Sequence, residues 1–273
     1  MLATVDRLRC LARMALVPLS LAGPASAATL YNAALGSTPA AQGWTTLSVG
    51  AAAFQAVTVG APPAYTLVTT GTGVSYFGNA LLSGLALNTA TGFDLSFQLK
   101  VVSETHDSVN RAGYSVVVVG ADPSKAVELS FWTGNVWVPD YNAADPDRFV
   151  HGADAAFNTT GAFHTYLLSV RNQQYTLSAD GTPLLSGALH DYTAGGAPYT
   201  QPNFLFFGDD SSRGTSATEL AFVTLVPVPE PASAAMLVVG LAALAWRRRS
   251  KHLESPGNTS RPRIRGSQAA VGS

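Results

Sequence analysis

Carboxylates, aromatic rings and histidines set what chemistry a chain can do, and in this 273-residue chain they are sparse. Retaining hydrolysis of a glycosidic bond needs two carboxyls about 5 Å apart. On one strand, residues two apart share a face. Glu128 is the only acidic residue of its segment, with no carboxylate two or four positions away. Only another strand could supply its partner, so the sequence points away from catalysis. Glu104-Thr105-His106-Asp107 is the nearest acidic cluster and reads as a solvated turn. His106, His151, His164 and His190 show no metal-ligand spacing. His164 opens a strand and reads as structural. Arg111, His164 and Tyr166 could supply a base and a cation for elimination chemistry, but no legible motif arranges them.

Binding is better served than catalysis. Sugars are held by aromatic rings against pyranose faces and by polar groups on hydroxyls. Trp132, Trp137 and Tyr141 cluster around one hairpin. Glu128, Ser130 and Trp132 share a face opposite Val127, Leu129 and Phe131. If the second set is core, the first lines an outer or concave sheet surface, with Arg111 and Tyr114 joining from a neighbouring strand. The competing expectation is that Trp132 and Trp137 are core. Asp209-Asp210-Ser211-Ser212 is a candidate calcium loop, since calcium takes six to eight oxygens. Asp140 to Asp147 is a second oxygen-rich loop. Neither follows an EF-hand pattern.

The elements that position these residues read as strands. Short apolar runs are broken by turn residues, with no sustained helical period. Phe93, Leu95, Phe97, Leu99 and Val101 alternate with polar residues and predict one buried face. Tyr114 to Val119 is continuously apolar apart from Ser115, as in a central strand covered on both sides. Val127 to Trp132 meets Asn135 to Val138 through Thr133-Gly134. Phe163 to Val170 pairs with Tyr175 to Ala179, and Asp180-Gly181 signals a two-residue hairpin. Asn203 to Phe207 and Glu219 to Leu225 close the domain.

The segments Phe163 to Val170, Tyr175 to Gly181 and Phe204 to Asp210 resemble the concanavalin A-like and laminin-G jelly rolls. Asn110 to Val116 and Glu128 to Trp132 resemble the choice-of-anchor domains of bacterial surface proteins. The resemblance implies an all-β, jelly-roll sandwich of concanavalin A-like type over about 28–226. An immunoglobulin-like sandwich is the rival, and about 200 residues is long for one. Such folds host lectins, hydrolases and lyases, so the fold alone assigns no activity. The Glu-x-Asp-x-x-Glu cluster of laminarinase-type hydrolases has no counterpart here.

The chain ends carry addresses. Arg7, Arg9 and Arg13 precede an apolar run from Met14 to Ala22, and Ala25-Ser26-Ala27 suits cleavage. Residues 1–27 are expected to be a signal peptide and signal helix using the Sec translocon. Cys10, the sole cysteine, would leave with it, so the exported domain folds without disulfides. At the other end stand Pro229-Glu230-Pro231, an uncharged segment from Ala232 to Trp246, and Arg247-Arg248-Arg249. As a helix that segment would span roughly 22 Å against a ~30 Å hydrocarbon core, a marginal and temporary anchor. The arginines favour the cytoplasmic side. This order resembles the PEP-CTERM sorting signal of Gram-negative bacteria, placed at 227–249. The resemblance implies transient inner-membrane anchoring by a transmembrane sorting helix, recognition by an exosortase, and delivery to the cell surface or an exopolysaccharide matrix. Residues 250–273 read as a disordered basic tail.

Between the signals, residues 28–226 hold 14 acidic and 6 basic residues, a net charge of −8. That balance is unsuited to nucleic acid. It would also repel strongly anionic glycans unless calcium intervened. The expected role is non-catalytic association with exopolysaccharide or another glycan. The alternative is a glycoside hydrolase or polysaccharide lyase on the same fold.

Overall fold

A computed structural model describes residues 26–49, 53–58, 60–81, 85–228 and 239–242. The strands are β1 (Ala28–Asn32), β2 (Thr45–Ser48), β3 (Ala53–Thr58), β4 (Ala64–Val68), β5 (Ser75–Ala80), β6 (Phe93–His106), β7 (Ser115–Val119), β8 (Ala126–Phe131), β9 (Asn135–Tyr141), β10 (Phe149–Ala156), β11 (His164–Arg171), β12 (Gln174–Ala179), β13 (Thr182–Ala188), β14 (Phe204–Asp209) and β15 (Gly214–Pro227). Among the described residues three short 3-10 turns, at Ala33–Leu35, Ala40–Gln42 and Thr193–Gly195, interrupt them.

Two antiparallel sheets form the jelly-roll-like sandwich. One runs β13-β12-β11-β6-β15-β4-β3, with β1 also on β15; the other runs β10-β9-β8-β7-β14-β5-β2. The chain crosses between sheets repeatedly. Strands distant in sequence therefore lie side by side, such as β14 between β5 and β7.

Strand β6 shows why the sequence chooses this fold. From Phe93 to Val101 every odd residue is buried and every even one half-buried, as its alternation requires. Phe97 is fully buried. It stacks on Tyr166 at 5.2 Å and meets Phe207 edge-on at 5.4 Å, so both sheets contribute to its surroundings. The strand continues to His106, pairing Thr105 with Thr215. Glu104 to His106 is thus strand and not the expected turn. Alternation stops after Val101, so the sequence signal stops there, while pairing with β15 carries the strand on.

The Asp180-Gly181 hairpin forms as expected between β12 and β13. Both residues have positive φ, 50° and 79°, the conformation a tight two-residue turn demands. Asp180 also caps the neighbouring strand. Its Oδ1 accepts from the Thr165 amide, and Oδ2 lies 2.6 Å from His164 Nδ1. This supports the structural reading of His164.

Strand β7 is covered on both faces. Val116 and Val118 join the core between the sheets. Val117 and Val119 face a second, smaller core with Ala126, Phe204 and Phe206. Tyr192 and Tyr199, from the segment between β13 and β14, close that core from outside. The Tyr192 hydroxyl donates to the Pro139 carbonyl at 2.5 Å. This covering segment creates the site.

Candidate functional site

The site lies on the outer face of the seven-stranded sheet. Alternation in β8 sends Val127, Leu129 and Phe131 into the main core and leaves Glu128 and Ser130 facing the other way, as the sequence predicts. Ser115 sits opposite Ser130 on β7. Glu128 Oε1 accepts from Ser115 Oγ at 3.0 Å and from Ser130 Oγ at 3.3 Å. Its Oε2 lies 2.5 Å from the Tyr199 hydroxyl. The same hydroxyl lies 2.9 Å from Asp210 Oδ2.

A phenol has one proton to give. For both contacts to be hydrogen bonds, one carboxyl must itself be protonated and donate to the Tyr199 oxygen. Electrostatics agree. Burial, reinforced by Asp210, pushes Glu128 up to about 8 despite the bonds it accepts. Burial also raises Asp210, against lowering by Tyr199 and Arg111. Tyr199 is raised well above the ordinary phenol value by burial and the two carboxylates, so it stays neutral.

Around this cluster lies a pocket of about 390 Å³, lined among others by Arg111, Trp137, Phe149 and Arg213. That falls within the ~300–1,000 Å³ of small-molecule sites. Phe149 stacks on Tyr199 at 5.0 Å. Trp137 is 1% exposed, and its indole N–H has no hydrogen-bond partner among the described residues.

The sequence-derived candidates divide. Arg111, Glu128 and Trp137 do line the pocket. Tyr141 is half-buried and backs Phe149 at 5.4 Å. Trp132 is packed against His106 at 4.2 Å and His151 at 4.9 Å, and its Nε1 donates to the Arg111 carbonyl at 2.8 Å. It therefore supports Arg111 and is not an open stacking surface. Tyr114 corrects the expectation more sharply. It is fully buried in the main core beside Phe131. The residue of β7 that faces the pocket side is its neighbour Ser115, one step out of phase.

Asp209 and Asp210 do not converge as a calcium pair would. Asp210 turns to Tyr199, while Asp209 accepts from the Ser211 amide and hydroxyl at 2.9 and 3.2 Å. Among the described residues no group of three or more His, Cys, Asp or Glu side chains is placed to hold a metal. The other oxygen-rich loop spends Asp147 on Arg213 at 2.9 Å and Asn110 at 3.0 Å.

Three contributors were not anticipated. Ser115 was hidden by its apolar neighbours. Phe149 opens a strand without clear alternation. Tyr199 lies in an irregular segment with no periodic signal. The carboxylate partner absent from the local sequence around Glu128 comes from 82 residues away, as Asp210.

Comparison with known proteins supports this architecture. Residues 227–249 match the PEP-CTERM protein-sorting motif. The chain carries this motif, which marks it for export and exosortase-mediated sorting. No curated protein sequence matches the chain. Among solved structures, a carbohydrate esterase from the Shiga toxin-encoding bacteriophage phi24B superposes with a TM-score of 0.53 at 17% identity, covering 75% of this chain and 100% of its own. A family 7 alginate lyase, A1-II′, gives 0.40 at 15% identity over 61% of this chain and 79% of its own. The lumenal domain of the lectin VIP36 gives 0.37 at 8% identity over 60% and 79%. The likeness to the esterase is one of overall fold.

Residues 1–25 of the expected signal peptide, Pro229-Glu230-Pro231, Arg247 to Arg249 and the tail from Ser250 lie outside the described residues, as does most of Ala232 to Trp246. Among the described residues no helix is long and apolar enough to cross a membrane. Replacing Pro229, Glu230 and Pro231 together with alanine is expected to leave an unprocessed precursor in the membrane fraction of an exosortase-bearing host. Normal processing and delivery of that variant would contradict the sorting role.

Proposed function

We propose that the protein is an exported, non-catalytic surface protein that binds glycan in the Glu128–Tyr199–Asp210 pocket and so associates with exopolysaccharide. The observation that carries this reading is the pocket itself. It joins aromatic walls from Trp137 and Phe149 to a cluster of hydroxyl and carboxyl groups. Concave sites with apolar walls and a few fixed polar groups are the usual form of small-ligand sites. The sorting motif directs the chain toward a glycan-rich exterior, which fits such a ligand.

Catalysis is less well supported. Glu128 is 5% exposed and engaged by three hydroxyls, so it offers a substrate neither a free nucleophile nor a free acid. Tyr199 is held neutral and would be a poor base. The hydrolase or lyase reading keeps one favourable observation, the closeness of Glu128 and Asp210 across one hydroxyl. Measurable depolymerisation or ester release, abolished by Glu128→Gln, would establish that reading instead.

Tyr199→Phe tests the binding reading. It removes one oxygen and keeps the ring against Phe149. Retention on the host's own exopolysaccharide is expected to fall roughly ten-fold or more, with folding retained. Unchanged retention would place the glycan elsewhere.

A further inference from the structure

Charge in the pocket bears on which glycan it takes. Among the described residues, the basic ones lining it are Arg111 and Arg213. Arg111 Nη1 donates to the carbonyls of Asn110 at 2.6 Å and Phe149 at 2.9 Å. Its Nη2 donates to the Asp147 carbonyl at 2.8 Å and lies 3.8 Å from the Asp147 carboxylate. Arg213 gives Nε to Asp107 at 3.0 Å and Nη1 to Asp147 at 2.9 Å. Both guanidiniums are thus held by internal partners and matched by internal carboxylates.

The carboxyls of Glu128 and Asp210 already share a hydroxyl in a buried space, a shared arrangement that leaves negative charge there once either ionises. A ligand carboxylate entering this pocket would meet like charge without an uncommitted cation to pair with. Like-charge juxtaposition in a desolvated site is strongly unfavourable, and an unpaired buried anion is more so. A neutral sugar brings hydroxyls that both donate and accept. Those can bond to Asp210 and the hydroxyls beside it and leave the arginine pairs intact.

We propose that this pocket selects neutral sugar residues and excludes uronates. The inference rests on the glycan-binding reading above. It makes the paired carboxyls of Glu128 and Asp210, one holding a proton and the other the seat of negative charge, the feature that sets specificity, acting by charge and not by reaction.

The test compares two oligosaccharide sets on the immobilised full-length chain at neutral pH and low salt. One set is neutral: cellotetraose, laminaritetraose and mannotetraose. The other is anionic: tetramannuronate and tetragalacturonate. At least one neutral probe is expected to bind roughly ten-fold or more tightly than either uronate. The Glu128→Gln, Asp210→Asn double variant is expected to narrow that gap. If wild type binds uronates and not neutral probes, the glycan reading stands and the neutral-sugar assignment falls. A gap unchanged in the folded double variant also overturns the assignment. If neither set binds, both readings fall. Should the double variant not fold, the wild-type preference decides alone.

Discussion

Thermal stability of the full chain is expected to fall as pH rises from 5 to 9, and Glu128→Gln is expected to remove roughly half of that fall, Asp209 carrying the remainder. The sign follows from linkage. Glu128 is held up to about 8 by burial, above an ordinary carboxyl value of 4.5. In the unfolded chain it ionises freely near its ordinary value, while in the fold it keeps its proton until about 8. Stability is therefore fully present below about 4.5, declines through the interval, and levels off once the folded state also ionises. At ~1.4 kcal/mol per unit, the loss from this residue is on the order of 3–5 kcal/mol. Asp209, also pushed up to about 8, acts in the same direction. Asp147, Asp180 and Asp191 are held below their ordinary value and act oppositely at acid pH. The optimum is thus expected near pH 4 to 5. Glutamine keeps an acceptor for Ser115 and Ser130 and a donor for Tyr199 without a charge. At pH 8 the variant should melt roughly 5–10 °C above wild type. A variant as pH-sensitive as wild type would show that Glu128 is not held protonated.

Phe97→Ala is expected to cost about 3–5 kcal/mol, because it empties a fully buried position between the sheets. The ring contacts Tyr166, Phe207 and Phe131, so the cavity opens where both sheets meet. Denaturant unfolding measures it, with and without thiol reductant. Reductant should change nothing in a protein processed at the expected site, from which Cys10, the sole cysteine, has been removed. A change within experimental error for Phe97→Ala would contradict the register of β6.

These two residues also mark what the sequence makes legible. Phe97 was readable because a strand with one buried face writes its register as alternation. The doubly covered β7 was readable as a continuous apolar run. Asp180-Gly181 was readable because a tight turn restricts residue type. Glu128 was readable only by parity, as the polar face of β8. Its partners were not. Tyr199 reaches it from an irregular segment, and Asp210 from the end of another strand. No local pattern encodes contacts made by sheet crossing. Tyr114 was misassigned because a run apolar on both faces does not declare which face each residue takes. Trp132 and Glu128 do share strand parity, but Trp132 lies just beyond β8, where the end of β6 and the start of β10 bring His106 and His151 against its ring.

The most direct measurement is to map the contact. Isotope-labelled full-length protein is titrated with size-fractionated fragments of the host exopolysaccharide, following backbone amides and indole N–H signals. Shifts are expected to concentrate at Trp137, Phe149, Tyr199 and Asp210, with the Trp137 indole among the largest because its N–H has no partner among the described residues. Shifts confined to the outer face of the eight-stranded sheet, around Leu167 and Thr176, with the pocket signals unmoved, would contradict the account.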